Sequence, residues 1–140
     1  MEPTRDKKIL IVEDHKDSRA VLVALLQFSG YQIIEAENGL QALEKARSEI
    51  PDLIVMDLQL PGMIGIEAAK ILKEDESTKR IPIIAYTALL NETLKEEAMK
   101  AGMECFLEKP APMELIKETI QKYIHRRRMD ESPGTSKLDR

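Results

Sequence analysis

The chain has 140 residues, which is the usual size of one domain and is enough to bury a core between helices and a sheet. Hydrophobic residues make up 43% and charged residues 33%, as in globular proteins, and the net charge of -4 disfavours general binding to nucleic acid or anionic membranes. The amino terminus is polar and no apolar run approaches a membrane-spanning length, so we expect no signal peptide, no membrane anchor and a cytoplasmic location.

Apolar segments of strand length alternate five times with longer amphipathic segments, which is typical of a βα-repeating fold with a parallel sheet. Three of them are almost continuously apolar and are predicted to be central strands covered on both faces: residues 9–12, 53–56 and 81–86. The two more mixed segments are placed at the sheet edges: residues 31–36 and 103–107. This pattern predicts a doubly wound α/β fold with a five-stranded parallel sheet of order 2-1-3-4-5.

Periodicity and punctuation predict helices between the strands, at residues 16–29, 39–49, 64–74, 91–101 and 112–127. Gly30 and Gly102 follow helical patterns, where a left-handed residue is wanted. Asn38 and Asn91 can cap the helices that they precede, and Pro112 suits a first helical turn. The helix ends are therefore marked by residues whose conformational preferences fit those positions.

The folded domain is expected to comprise residues 1–127, because residues 128–140 have almost no apolar side chains and predict a disordered tail with no output domain after it. The three arginines at 126–128 are interpreted as the solvated basic end of a helix, in preference to a docking site for acids. Cys105 cannot form an intramolecular disulfide, and its apolar neighbours favour a buried structural thiol.

Acidic residues follow two strands at the point where the strand order reverses, which is where open parallel sheets bind ligands. Glu13 and Asp14 come directly after the first strand, and Asp57 ends the third. Three converging carboxylates call for a cation, and oxygen ligands with retained waters favour Mg²⁺. His15 is alone nearby and is interpreted as a solvated loop residue, and His125 as a surface residue.

Thr87 lies just beyond the fourth predicted strand and Lys109 just beyond the fifth, at the same carboxyl edge. A carboxylate nucleophile, a metal ion and fixed donors for the phosphoryl oxygens are what phosphoryl transfer requires. Each of these residues taken singly is more readily a solvated loop residue. Their occurrence together at one edge predicts a phosphoryl-transfer site.

Four motifs, in order and spacing, resemble those of CheY-like receiver domains of two-component response regulators: Ile-Val-Glu13-Asp14, Met-Asp57-Leu-Gln-Leu-Pro61 with Gly65, Thr87-Ala88, and Lys109-Pro110. The resemblance covers residues 7–125. It implies a flavodoxin/CheY-like (βα)5 fold and a domain that catalyses only its own phosphorylation and dephosphorylation. It also implies a histidine kinase or histidine phosphotransfer protein as donor, and an output protein bound at the face of the fourth helix, fifth strand and fifth helix.

The resemblance also implies individual roles. Asp57 would be the phosphoacceptor and Asp14 a direct Mg²⁺ ligand, while Glu13 would bind the ion through water and the main-chain carbonyl of Gln59 would add a ligand. Lys109 would contact the phosphoryl oxygens, and the bond from it to the next residue, a proline, would be cis.

For the switch, the resemblance implies that Thr87 follows the phosphoryl group inward while Phe106 turns from an exposed to a buried position in the vacated space. Three departures from the commonest family pattern remove no catalytic role: Glu13 replaces Asp, Ile64 replaces an acid, and Phe106 replaces Tyr. The missing hydroxyl at Phe106 suggests that recognition of the output partner is less polar.

Three alternatives belong to other classes. A phosphatase of the haloacid-dehalogenase type would need a second Asp two residues after Asp57, where this chain has Gln59, and a cap domain for which the chain has no room. An FMN carrier would need a Gly- and hydroxyl-rich loop after the first strand, where this chain has acids. A receiver-shaped interaction module that is never phosphorylated would be told apart by phosphate incorporation.

Overall fold

The structure is a computed structural model, and it describes residues 7–130 of the chain. Strands and helices alternate along these residues with the following bounds: β1 (Lys8–Val12), α1 (Lys16–Phe28), β2 (Gln32–Ala36), α2 (Gly39–Glu49), β3 (Leu53–Met56), α3 (Gly65–Glu74), β4 (Ile83–Thr87), α4 (Glu92–Lys100), β5 (Cys105–Glu108) and α5 (Met113–Asp130). No helix in this part of the chain is both long and apolar enough to cross a membrane.

The strands form one parallel sheet in the order β2-β1-β3-β4-β5, which confirms the predicted fold class and strand order. Every residue of β3 is buried, as are four of the five residues in both β1 and β4. The edge strands β2 and β5 bury one residue each. The almost continuously apolar segments are therefore the central strands, and the mixed segments are the edge strands, as predicted.

Successive side chains of the central strands point to opposite faces of the sheet, and each face has its own hydrophobic core. On one face, Leu10 and Ile54 pack with buried residues of α2, α3 and α4. On the other, Ile9 and Leu53 pack with buried residues of α1 and α5. Each fully buried Leu or Ile side chain contributes about 1.5–3 kcal/mol of hydrophobic free energy. Burial on both faces explains why these strands carry no polar alternation.

The predicted capping residues have the expected geometry. The side chain of Asn38 accepts a hydrogen bond of 2.8 Å from the Gln41 N–H, and Asn91 accepts one of 2.9 Å from the Leu94 N–H. Gly102 follows α4 with a φ of 102°, a left-handed conformation that favours glycine. Asn38 and Asn91 therefore cap the starts of α2 and α4, and Gly102 follows the end of α4, as the sequence predicted.

Three strands begin later than predicted, β2 by one residue and β4 and β5 by two residues each. β4 begins at Ile83 and not at Ile81, because Pro82 has no N–H with which to pair. β5 begins at Cys105 and not at Met103. The prediction that Cys105 is a buried thiol was wrong, since its side chain is half-buried, as its place on an edge strand allows.

The fifth helix begins at Met113 and continues to Asp130, so the boundary predicted for the tail lies too early in the chain. Pro112 precedes the helix, and its carbonyl oxygen accepts a hydrogen bond from the first turn. The arginines at 126–128 are helical in backbone, while their predicted solvation concerns side chains outside the described ones. Residues 131–140, the remainder of the predicted tail, also lie outside the described residues.

Candidate functional site

The sheet backbone itself brings the predicted acidic residues together. The N–H of Glu13 donates to the Ala36 carbonyl at 3.0 Å, which extends the pairing of β1 with β2 by one residue. The N–H of Asp57 donates to the Val12 carbonyl at 3.0 Å and extends the pairing of β3 with β1. The backbone of Glu13 is therefore fixed by β2, and the backbone of Asp57 is fixed by β1.

Glu13, Asp14 and Asp57 form one cluster, in which one carboxylate oxygen of each residue lies within 4.8 Å of those of the other two. Glu13 and Asp57 are buried, and Asp14 is exposed. An all-oxygen set that is open to water on one side fits a hard divalent cation, which keeps part of its hydration shell. Within the described residues the cluster includes neither histidine: His15 is exposed and His125 is half-buried.

Both carboxylate oxygens of Asp57 accept hydrogen bonds. Oδ1 accepts from the Thr87 hydroxyl at 2.9 Å and from the Gln59 N–H at 2.9 Å, while Oδ2 accepts from the Lys109 ammonium at 3.1 Å. The Lys109 ammonium also donates to the carboxylate of Glu13. The structure thus brings the acids, the hydroxyl and the ammonium into one site, as the sequence predicted.

Lys109 is fixed from several directions. Its N–H donates to the Thr87 carbonyl at 2.9 Å, its ammonium lies 5.4 Å from the centre of the Tyr86 ring, and its peptide bond to Pro110 is cis. Burial by itself would lower the pKa of Lys109, but its hydrogen bonds to Glu13 and Asp57 outweigh burial and raise that pKa. The ammonium is therefore charged at neutral pH.

Gly65 is required where α3 approaches the backbone of Asp57. A Cβ at this position would lie 2.4 Å from the Asp57 carbonyl oxygen and 2.8 Å from the Leu58 Cα, distances that no side chain could occupy without displacing the backbone. The Gly65 N–H donates to the Leu58 carbonyl at 3.0 Å. The glycine in the predicted motif thus has a local structural cause next to the acceptor.

Sequence reasoning missed one contact of the site, which Arg19 makes. The guanidinium donates to the main-chain carbonyl of Glu13 at 2.7 Å and to the Glu35 carboxylate at 2.9 Å. A signal was present, since Arg19 lies in the first turn of α1, where a cation meets the positive end of the helix dipole. A cation next to the positive end of a helix is unfavourable by itself, which indicates that nearby hydrogen-bond acceptors compensate it.

The comparison with protein families decides the assignment. The family model of the response regulator receiver domain matches residues 9–121, which is most of the chain. The chain belongs to this family. It is a receiver of two-component signal transduction, and its family consists of phosphoacceptor domains.

Individual relatives agree with this assignment. The polar-differentiation response regulator DivK of Brucella anthropi is 40% identical over 118 residues, which cover 84% of this chain and 96% of that protein. The receiver domain of a sensor histidine kinase of Pseudomonas aeruginosa, solved with a magnesium ion coordinated in its active-site cleft, has a TM-score of 0.80 and 33% identity and covers 85% of this chain and 98% of that one. The chemotaxis protein CheY4 of Vibrio cholerae has a TM-score of 0.81 and 30% identity, covering 84% and 98%.

The two predicted switch residues of this receiver lie on neighbouring strands. Thr87 is fully buried at the end of β4, with its hydroxyl already directed to Asp57. Phe106 on β5 is half-buried and packs against the core that also contains Ala85. Their movement on phosphorylation stays a prediction, as does the main-chain carbonyl of Gln59 as a ligand.

A groove of about 370 Å³ opens beside the receiver site, between α1 and the start of α5. Its lining includes Glu13 and Lys109 of the site and the apolar side chains of Val21, Leu25 and Met113. Val21 is 72% exposed and Met113 is 60% exposed. The approach to the receiver site on this side is therefore bordered by apolar surface.

Proposed function

We propose that this receiver accepts a phosphoryl group on Asp57, from a histidine kinase or a histidine phosphotransfer protein, in a reaction that depends on Mg²⁺. One observation carries the proposal: the Asp57 carboxylate is held by three donors and adjoins two further carboxylates, although it is only 7% exposed. Three acids around one ammonium leave a net negative charge that a divalent cation would neutralise. The likeness to a receiver solved with magnesium in its cleft supports the choice of ion.

The residues of the site have separate tasks in the proposed transfer. A carboxylate oxygen of Asp57 attacks the phosphorus atom of a phosphohistidine, the P–N bond breaks, and the imidazole leaves with the electron pair. Lys109 and Thr87 donate hydrogen bonds to phosphoryl oxygens as their charge spreads in the transition state. Mg²⁺, when bound, would supply charge neutralisation at the phosphoryl oxygens. Its ligands would be Asp57, Asp14, Glu13 through water, and the Gln59 carbonyl.

The same site would also reverse the modification. Water attacks the phosphorus atom of the acyl phosphate, the P–O bond to Asp57 breaks, and inorganic phosphate leaves. The domain would then catalyse only its own phosphorylation and dephosphorylation. Gln59 occupies the position where a phosphatase of the haloacid-dehalogenase type has its acid, so turnover of external phosphate esters is not proposed.

The proposed output is a change at the face of α4, β5 and α5, which would alter binding of a protein partner. Thr87 would move with the phosphoryl group, and Phe106 would fill the space next to it. Within α4 only Ala98 is buried, so a shift of this helix sacrifices little packing. Leu89 and Met99 near this face are more than half exposed and would be available to an apolar partner surface.

The donor would reach Asp57 beside the groove between α1 and α5, with Val21 and Met113 offering it an apolar contact. Both partners are proposed to be proteins, and direct binding to nucleic acid is not proposed because the net charge is -4. The cytoplasmic location stays a prediction.

Acetyl phosphate tests the proposed chemistry without a protein donor. With Mg²⁺ it should label the wild type stoichiometrically with an acid-stable, base-labile acyl phosphate, and Asp57→Asn should abolish labelling. Asp14→Asn should still be labelled, but should need more Mg²⁺, because it loses a charged metal ligand. Asp17→Asn, which alters an exposed acid outside the cluster, is the matched control and should behave as wild type.

Intact-mass spectrometry measures the labelled fraction against time and Mg²⁺ concentration. Undiminished labelling of Asp57→Asn would remove Asp57 from its role. A wild type that takes up no phosphoryl group would instead favour the interaction module that is never phosphorylated.

A further inference from the structure

We propose that Arg19 is a positioning residue for the cation site, and that it acts through the peptide between Glu13 and Asp14; this inference rests on the proposed function. Its Nη1 donates to the Glu13 carbonyl oxygen at 2.7 Å, and its side chain is only 12% exposed. The bond is charge-assisted and short, and such bonds fix an acceptor more firmly than neutral ones do.

The position of this bond matters because the Glu13 carbonyl belongs to the peptide that joins two residues of the carboxylate cluster. The N–H of Glu13 is held by the Ala36 carbonyl, and one oxygen of its carboxylate accepts from the His15 N–H at 3.1 Å. The hydrogen bond from Arg19 fixes the carbonyl group of Glu13. The direction in which the Asp14 side chain leaves the backbone follows from the orientation of that peptide.

Arg19 is itself held by acids of the neighbouring edge of the sheet. Its Nε donates to the Glu35 carboxylate at 2.9 Å, and its Nη2 lies 3.9 Å from the Glu37 carboxylate. A planar guanidinium presents separate N–H groups in a fixed fork, so it can bind the carbonyl and the acids at once. The end of β2 thereby supports the loop that follows β1.

If Arg19 only linked two elements of the fold, its replacement would affect Mg²⁺ binding no more than replacement of another arginine that links two elements. Arg47 provides the comparison, because its Nε also contacts a carboxylate at 2.9 Å, that of Asp75, and joins α2 to the end of α3. Among the described contacts, those of Arg47 do not involve the acidic cluster. Arg47 variants are therefore matched controls for loss of an arginine pair alone.

The test is calorimetric titration of Mg²⁺ into the full chain without any phosphodonor. Arg19→Ala should bind Mg²⁺ about tenfold more weakly or worse, since loss of a residue that supports metal ligands typically costs 10–100-fold in affinity. Arg19→Gln, which keeps most of the length but neither the charge nor the fork, should also bind more weakly. Arg47→Ala and Arg47→Gln should keep the affinity of the wild type.

Labelling with acetyl phosphate gives a second reading of the same variants. The Mg²⁺ concentration for half-maximal labelling should rise in Arg19→Ala by the factor measured calorimetrically. The labelling rate at saturating Mg²⁺ should stay near that of the wild type, because the nucleophile and the donors from Lys109 and Thr87 are intact. Damage to the fold would instead lower the saturated rate.

Wild-type Mg²⁺ affinity in Arg19→Ala, or the same loss in Arg47→Ala, would overturn the role of Arg19. If Arg19→Ala does not fold, the comparison of Arg19→Gln with Arg47→Gln decides by the same criteria. Failure of the proposed function gives a different result, because the wild type itself would then neither bind Mg²⁺ nor accept the phosphoryl group.

Discussion

The net charge of the site depends on Lys109. It contacts the carboxylates of both Glu13 and Asp57, and those contacts raise its pKa above the usual value despite burial. One positive charge among three acids leaves the cluster negative, and Asp14 is the exposed member that meets solvent. The negative charge of the site favours binding of one more cation. The phosphoryl group would bind next, and its oxygens would accept hydrogen bonds from the Lys109 ammonium.

Tyr31, a buried residue outside the acidic cluster, limits the stability of the fold. Its hydroxyl is the one buried side-chain polar atom without a hydrogen-bond partner in the described part of the chain. Tyr31→Phe removes this unpaired group, whose desolvation costs about 1–3 kcal/mol, and should increase the free energy of unfolding. Urea denaturation at pH 8 measures the difference. Tyr123→Phe, at a half-buried tyrosine, is the control and should not stabilise the protein.

The same variant should alter the pH dependence of stability. Burial raises the pKa of Tyr31 above 10.0, so the folded state holds this proton more tightly than the unfolded state does. The resulting contribution to the free energy of unfolding is complete below the pKa of Tyr31 in the unfolded state. It is lost as the pH rises through the pKa of Tyr31 in the folded state. The advantage of Tyr31→Phe over wild type should therefore grow above about pH 10. A difference that shrinks with rising pH would contradict the assignment.

The helices differ in how firmly they are anchored, and this difference decides which element can transmit a signal. α3 buries Ala68, Ala69 and Leu72, whereas α4 buries only Ala98. The exposed fourth helix follows the strand that ends in Thr87. A small movement of that side chain can therefore be passed to the helix at low cost, which is what a two-state switch requires.

Thr87→Ala tests this coupling. The variant should still accept a phosphoryl mimic, because Asp57 and Lys109 are unchanged, but it loses the hydroxyl that contacts Asp57 at 2.9 Å. With beryllofluoride and Mg²⁺, backbone NMR shifts across residues 87–108 should be large in wild type and much smaller in Thr87→Ala. Thr93→Ala, at an exposed position of α4, should respond as wild type does. Full-sized shifts in Thr87→Ala would mean that another group carries the coupling.

Across the whole molecule, the features that were predictable from sequence are those set by burial and chain order. Two-sided burial makes β1, β3 and β4 almost continuously apolar, and parallel strands bring Asp57 and Lys109 to one edge. Arg19 was missed because its contacts join a helix to a loop and an edge strand, and its position in the first turn of α1 does not specify which groups it contacts. The helical end of α5 was missed because composition alone does not separate a polar helix from a tail.

Asp57, and neither of the neighbouring acids, is expected to receive the phosphoryl group. Borohydride reduction of protein labelled by acetyl phosphate and Mg²⁺ converts an aspartyl phosphate to homoserine, and tandem mass spectrometry then locates the converted residue. Conversion at position 57 alone is the predicted result, because among the acids that the structure describes only Asp57 contacts both Thr87 and Lys109. Conversion at Asp14, or a reduced Glu13, in place of Asp57 would contradict it.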